Sequence, residues 1–357
     1  MWRCYRYPST ARMPAVSSPP NSSDAATRDA RPLLVAPDSF KGTLRASAVA
    51  AAIGRGLERA GLAPPDLMPV ADGGEGTQEV VLLALGGQTT AAPARDPLGR
   101  TLTAGFALLE QGAGAIVEVA AASGLPLVAQ DERDAERASS HGTGDLIAAA
   151  AREGAETILV AAGGSATTDG GAGALEAIAE HGGLRGARLI VLCDARIPFE
   201  DAAAVFAPQK GADPEMVMRL EQRLADLAAS WERDPRGVPL TGAAGGLAGG
   251  LWAHHDADLV LGSRFILELL GARERMLAAR ALIIGEGRLD ATTLEGKIVG
   301  EIATDARQNG VPCHAIVGQD ALDLFGRRIL DIQTVTEAGT LGALEDAAAA
   351  LALSGVL

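Results

Sequence analysis

The run GGSATTDGG at 163–171 sets glycines, hydroxyls and one carboxylate between an apolar, partly β-branched stretch at 157–162 and a helical pattern from Ala174 onward. A strand that passes through such a loop into a helix gathers free backbone N–H groups and the positive end of a helix dipole at one point. That arrangement suits an anion such as phosphate, and it would be supplied here by Gly163, Gly164, Ser165 and Thr168, with Asp169 beside them. A tight turn that uses its glycines only for positive φ produces the same pattern. Taken alone, the stretch leaves the two readings level.

Four more loops follow strand-like runs and carry acids. PDSFKGT at 37–43 supplies Asp38, Ser39 and Lys41, and ADGGEGT at 71–77 supplies Asp72, Gly73, Gly74 and Glu75. Asp194 closes the apolar run at 187–193, and GEGRLD at 285–290 brings Glu286, Arg288 and Asp290. The carboxyl ends of strands are where open α/β sheets bind ligands. Carboxylates there can hold Mg²⁺, which keeps several of its waters. They can also take a proton from a hydroxyl while lysines and loop amides stabilise phosphoryl charge. Of the 31 basic residues, only Lys41, Lys210 and Lys297 are lysine, and each stands next to a glycine. Where arginine is the default, lysine marks a place that wants a compact point charge rather than a planar fork.

The elements that must position these loops alternate between strand and helix. Strands are read at 32–36, 157–162, 187–193, 280–284, 313–317 and 333–336, and short β-like pieces fill 88–123. Helices are read at 46–60, where Val49, Ile53 and Leu57 share a face, from near Gln78, after His141 (capped by Thr143 or Asp145), and after Asp213 with Pro214 at its first position. Others follow at 298–308 and 322–329, and an Ala-rich helix ends the chain. The run TGAAGGLAGGLWA at 241–253 is too rich in glycine for a helix interior without close packing. The fold class expected is α/β with two α/β domains. Residues 32–77 and 280–357 form a discontinuous doubly wound (Rossmann- or flavodoxin-like) domain, 78–279 form an inserted α/β domain, and 1–31 are a disordered extension.

Composition bounds the partners. A formal net charge of −14 argues against nucleic acid and anionic membrane, and no apolar run reaches the roughly eighteen residues of a membrane span. Cys4, Cys193 and Cys313 lie far apart, which favours free thiols in a reducing compartment over disulfides or zinc. The histidines show no metal-ligand spacing. Neither GxxxxGK[ST] nor a complete GxGxxG is present, and no GxSxG suggests a covalent nucleophile. The residues themselves reach as far as an α/β enzyme that handles an anionic, phosphorylated ligand.

Ordered motifs carry the reading further. APDSFKGT, VADGGEGT, RDPLGR, AAASGL, GGSATTDGGAG, FAPQKGA, GAAGGL and IIGEGRLD followed by TLEGK resemble, in order and over about residues 32–350, the bacterial glycerate kinase (type 1) family. The resemblance implies phosphorylation of D-glycerate by ATP with Mg²⁺ in the cytoplasm, generally giving 2-phosphoglycerate, in a cleft between two domains; a homodimer is left open. On that basis Lys41 and Lys210 neutralise phosphate, and Asp169 or Asp72 serves as base. Asp38, Asp72, Asp194, Glu286 or Asp290 hold Mg²⁺ or substrate hydroxyls, and Arg288 pairs with the glycerate carboxylate. Two departures stand out: the stretch at 180–189 is shorter than in many relatives, and Ile197 replaces a polar residue ahead of Pro198.

Overall fold

The computed structural model of the chain describes residues 31–110 and 113–357. The extension expected at 1–31 therefore lies outside the described residues except for Arg31. In chain order the strands are β1 (Leu33–Pro37), β2 (Asp66–Leu67), β3 (Gly87–Arg95), β4 (Thr101–Leu109), β5 (Gly114–Glu118), β6 (Thr157–Ala161) and β7 (Arg188–Cys193). There follow β8 (Asp258–Leu261), β9 (Ala281–Gly285), β10 (Arg288–Leu289), β11 (Cys313–Val317), β12 (Gln319–Asp320) and β13 (Ile332–Glu337).

The two ends of the chain build one parallel sheet in the order β13-β11-β9-β1-β2. The middle builds a second, in the order β3-β4-β5-β6-β7-β8, antiparallel through β3, β4 and β5 and parallel from β5 onward. The fold is thus a discontinuous doubly wound α/β domain carrying an inserted α/β domain. Strands β1, β6, β9 and β11 are buried along their whole length and apolar but for Thr157 and His314, as parallel strands covered on both faces tend to be. Leu33 and Val35 of β1 and Ala281 and Ile283 of β9 face the helices Ala46–Arg59 and Leu341–Leu353. Their alternates Leu34, Ala36, Leu282 and Ile284 face the opposite layer, which includes the helix Ile298–Gln308.

That opposite layer joins the two sheets. Residues of the helices Thr77–Leu85, Gly262–Leu269 and Ala272–Ala278 share one buried core with Leu34 and Leu282 of the first sheet and with Ile116, Leu159 and Leu192 of the second. The outer face of the second sheet is covered by the helices His141–Arg152, Ala172–Glu180 and Leu247–His255. Helix, sheet, helix, sheet and helix layers alternate, and the loops after β1, β2, β6 and β7 meet where Lys41 pairs with Asp72 and Gly163 approaches Gly74 and Asp194.

Several local expectations change. The helix that starts at His141 is not capped by Thr143 or Asp145: both lie inside it, its N-cap is Ser140, and Asp145 instead accepts from Arg95 N. The Gly-rich run does form a helix, Leu247–His255, because close packing uses the missing side chains. A Cβ on Gly250 would stand 2.5 Å from Gly170 O, and one on Gly249 2.5 Å from the Phe199 ring. The cap at Asp213 is present, with Met216 N donating to its carboxylate at 2.7 Å. Cys193 and Cys313 are free and buried. Among the described residues no helix is long and apolar enough to cross a membrane.

Candidate active site

The first sheet reverses its winding between β1 and β9. The helix after β1 covers one face and the helix after β9 the other, and the loops leaving those two strands flank a crevice. Asp38, 5% exposed, begins the loop after β1, where Ser39 N donates to its Oδ1 at 2.6 Å. Lys41 follows on the same loop, and its Nζ lies 3.6 Å from Oδ2 of Asp72, which comes from the loop after β2. Asp72 also folds its own loop: Gly74 N donates to Oδ1 at 3.0 Å. Gly73 adopts φ 98°, which only glycine takes without strain, and a Cβ there would meet Leu192 O at 2.9 Å. Glu75 is exposed and turns into the cleft.

The second sheet supplies the facing wall. Gly163, beyond β6, meets Gly74 through bare backbone, since a Cβ on Gly163 would fall 2.5 Å from Gly74 Cα and 3.1 Å from Asp194 Oδ2. Asp194, at the end of β7, thereby reaches the same junction. Lys210, 3% exposed, donates to Thr167 O at 2.5 Å and to Ser165 Oγ at 3.1 Å, and so pins the loop at 163–171 from behind. Gly164 takes φ 70° and its carbonyl accepts from Leu125 N. The hydroxyls of Ser39 and Thr168 are buried without a hydrogen-bond partner. Ser39 stands at the wall of the cleft, where an arriving polar ligand would satisfy it.

Crowding of negative charge shapes the electrostatics. Burial first, then the Asp72 carboxylate and more weakly Glu286, push Asp38 up to about 8 against the pull of Lys41. Asp194 is an exposed residue whose carboxyl is nonetheless crowded by the surrounding protein. That desolvation and Asp72 push it up to about 6. Lys41 is raised by Asp72 above all, with Asp38 and Asp194 adding to it. Lys210 is lowered to about 8 by burial, although Asp169 and Asp194 both favour its charge. Asp38, Asp72 and Asp194 crowd around the Lys41 ammonium, an excess of carboxylates that suits an incoming cation.

The expected set is only partly brought together. Asp169 is 1% exposed and closed off: its Oδ2 accepts from Ser140 N and Oγ and from Gly173 N, and its Oδ1 from Gly171 N. It ties the helix Ala172–Glu180 to the residue preceding His141, and these bonds engage both of its carboxylate oxygens. Lys210, expected at phosphate, directs two of its three N–H donors to the protein loop. The metal set of Asp194, Glu286 and Asp290 does not converge. Asp290 caps the turn at 291–295 through Thr292 N and pairs with Arg288 at 3.0 Å. Glu286 accepts from Thr293 Oγ1 at 2.7 Å and lies 3.5 Å from Lys297 Nζ, while Asp194 belongs to the other sheet. Among the described residues no three such side chains are placed to hold a metal ion by themselves.

Two residues of the site were missed. Lys297 lines the crevice beside Lys41, and its signal was in the sequence as the third glycine-flanked lysine. Glu118, at the end of β5, accepts from Gly76 N at 2.9 Å and Gln78 N at 2.8 Å and so orders the loop after Asp72. A lone acid in the apolar run AIVEVA was its only mark.

A doubly wound α/β domain with an inserted α/β domain and a charged cleft at the facing strand ends defines a class of two-domain α/β enzymes. The chain belongs to the glycerate kinase family: the family described as "Glycerate kinase family" matches residues 33–183 and 179–340. It is an enzyme of the kinase class. The glycerate kinase of Bacillus subtilis (strain 168) is 37% identical over 330 residues, covering 82% of this chain and 86% of that protein. The glycerate 2-kinase of Escherichia coli (strain K12) is 34% identical over 352 residues, covering 87% and 92%. A crystal structure of a protein from Salmonella typhimurium LT2 matches with a TM-score of 0.75 at 32% identity, covering 91% of this chain and 98% of that one.

Proposed function

We propose that this enzyme transfers the terminal phosphoryl group of ATP to D-glycerate, with Mg²⁺, and releases 2-phosphoglycerate and ADP. The observation that carries the reading is the Lys41 ammonium held among Asp38, Asp72 and Asp194 where the two sheets meet, in a chain of this family. The relative named glycerate 2-kinase supports the product. The bond formed joins the glycerate 2-hydroxyl oxygen to phosphorus, and the bond broken joins that phosphorus to the ADP oxygen. Asp38 lines the cleft and has an oxygen free of the Ser39 contact, so in its ionised form, favoured once a cation offsets the Asp72 charge, it receives the hydroxyl proton. Lys41 balances the charge of the transferring group.

Mg²⁺ commonly takes one or two carboxylates and completes its shell with phosphate oxygens and water. Asp72 and Asp194 fit that demand, and when bound the ion would supply neutralising charge to the phosphates. The boundaries that follow from this reading are 32–77 with 280–357 for one domain and 78–279 for the other, with the helices at the seam shared. Ile197 offers only its backbone carbonyl, to Gly242 N at 2.9 Å, and lines neither cavity of the cleft. Free buried thiols fit a cytoplasmic setting. Incubation with ATP, MgCl₂ and D-glycerate followed by phosphorus and carbon NMR of the product is the test. Phosphorylation at the 3-hydroxyl would correct the product, and failure to phosphorylate D-glycerate would remove the proposal.

A further inference from the structure

Two cavities meet at the loop that follows β1. The smaller, of about 380 Å³, covers the crevice between β1 and β9 and is lined by Asp38, Arg288 and Lys297 among others. The larger, of about 670 Å³, opens on the other side of the loop toward the helix Thr77–Leu85 and is lined by Arg45, Glu79, Leu82 and Leu83 among others. Ser39, Lys41 and Thr43 line both, so the loop is a partition with the lysine on it.

We infer that the smaller cavity takes the carboxylate-bearing acceptor and the larger takes the nucleoside triphosphate, the phosphoryl group crossing at Lys41. The inference rests on the proposed glycerate phosphorylation and adds which wall serves which substrate. Arg288 is steadied by Asp290 at 3.0 Å and by Gln319 Oε1 at 2.9 Å, which leaves further N–H groups of its fork for a carboxylate. The Lys297 ammonium lies 3.5 Å from Glu286 and 3.8 Å from Asp290, beyond good hydrogen-bond length, and can turn to a better-placed anion. Asp38 lines the smaller cavity only, so the hydroxyl that loses its proton belongs there.

The larger cavity has the opposite chemistry. Leu83 is 62% exposed, and with the half-buried Leu44 and Leu82 it forms an apolar wall of the kind a nucleobase covers. Glu75 and Glu79 can accept from ribose hydroxyls, while Lys41 and Arg45, which line the same cavity, offset phosphate charge. The buried, unpartnered Ser39 hydroxyl on the partition is available to the group in transit.

The test is calorimetric titration of the full chain with ADP and, separately, with D-glycerate, alongside the KM for each substrate. Lys297→Gln and Arg288→Gln are each expected to weaken D-glycerate by about tenfold or more while ADP affinity stays within about twofold. Leu83→Glu is expected to do the reverse. Retained ADP binding shows that the two small-cavity variants are folded, and retained D-glycerate binding does so for Leu83→Glu. The opposite pattern, or no change in either affinity, overturns the assignment. Wild-type enzyme that binds D-glycerate but does not phosphorylate it would instead overturn the proposed reaction and leave the assignment to be decided by the binding data.

Discussion

Gly74 and Gly163 touch with no side chain between them: a Cβ on Gly163 would fall 2.5 Å from Gly74 Cα. These two residues stand on loops of different sheets, so this backbone contact sets how closely Asp72 and Asp194 approach across the cleft. Gly163 does not occupy the left-handed region, so alanine there is strained by the contact and not by its own backbone. Gly163→Ala is expected to lower stability by about 1–3 kcal/mol, the usual cost of overpacking, and to reduce kcat/KM more than that loss of folded protein explains. Thermal unfolding and steady-state kinetics on the same preparation separate the two effects.

Lys41 pairs loosely with Asp72 at 3.6 Å and its side chain is 59% exposed to the cleft, so its removal should leave the fold intact. Lys41→Ala is expected to lower kcat/KM by roughly two to three orders of magnitude, as loss of a charge aimed at the transferring group does. Lys41→Arg should recover only part, because a planar fork does not replace a point charge. Near-normal turnover in Lys41→Ala would take the residue out of the chemistry.

Asp38 titrates at about 8 in the fold, against a usual value of 3.8. Between those values the native state keeps a proton that the unfolded chain has released, so this group's contribution to stability falls as pH rises from about 4 to about 8. Asp38→Asn has no such charge to bury and should be more stable than wild type above pH 8, while losing most of its turnover. Addition of MgCl₂ favours the ionised carboxylates, so wild type near neutral pH should release protons on binding it. Titrations in buffers of different ionisation enthalpy would show this, and no proton release would argue against these acids as the cation's partners.

Asp169 makes a contrasting case. Asp169→Asn would turn an amide N–H toward the donors at Ser140 or Gly173 and leave a buried group unsatisfied, at a cost of about 1–3 kcal/mol. Its kcat, corrected for the folded fraction, should stay within about tenfold of wild type, whereas a chemical base would lose about 10²–10⁴. A corrected loss in that larger range would restore Asp169 to the mechanism.

The alternation of strand and helix, the inserted middle and all five acid-bearing loops were legible because apolar period and glycine placement are local properties. Asp38 and Asp194 directly follow β1 and β7, and Lys41 and Asp72 stand on the loops after β1 and β2, so their place near strand ends was legible for the same reason. What Asp169 and Lys210 do was not legible. Their partners, Ser140 at 29 positions' remove and Ser165 at 45, are supplied by the tertiary fold, and residue type alone does not separate a carboxylate that holds a loop from one that takes a proton. The Gly-rich helix Leu247–His255 meets the condition its composition set, since its propensity is poor and its packing against Phe199 and Gly170 decides the outcome.

Lys210 gives the last prediction. Its ammonium is buried, donates to Thr167 O and Ser165 Oγ, and is lowered to about 8 from a usual 10.5 by burial. Lys210→Met removes both bonds and should lower stability by about 1.5–3 kcal/mol, the range for hydrogen bonds from a charged group. The pH dependence fixes the sign. Between about 8 and 10.5 the unfolded chain binds a proton at this residue that the folded chain does not, so the wild type gains stability from this group as pH rises through that window. The gap between wild type and Lys210→Met should therefore widen from about pH 7 to about pH 9.5 in urea unfolding. A gap that narrows instead would mean that Lys210 holds its proton more tightly in the fold than outside it, as an ion-paired lysine does, and would reassign it from loop anchor to salt-bridge partner of Asp194.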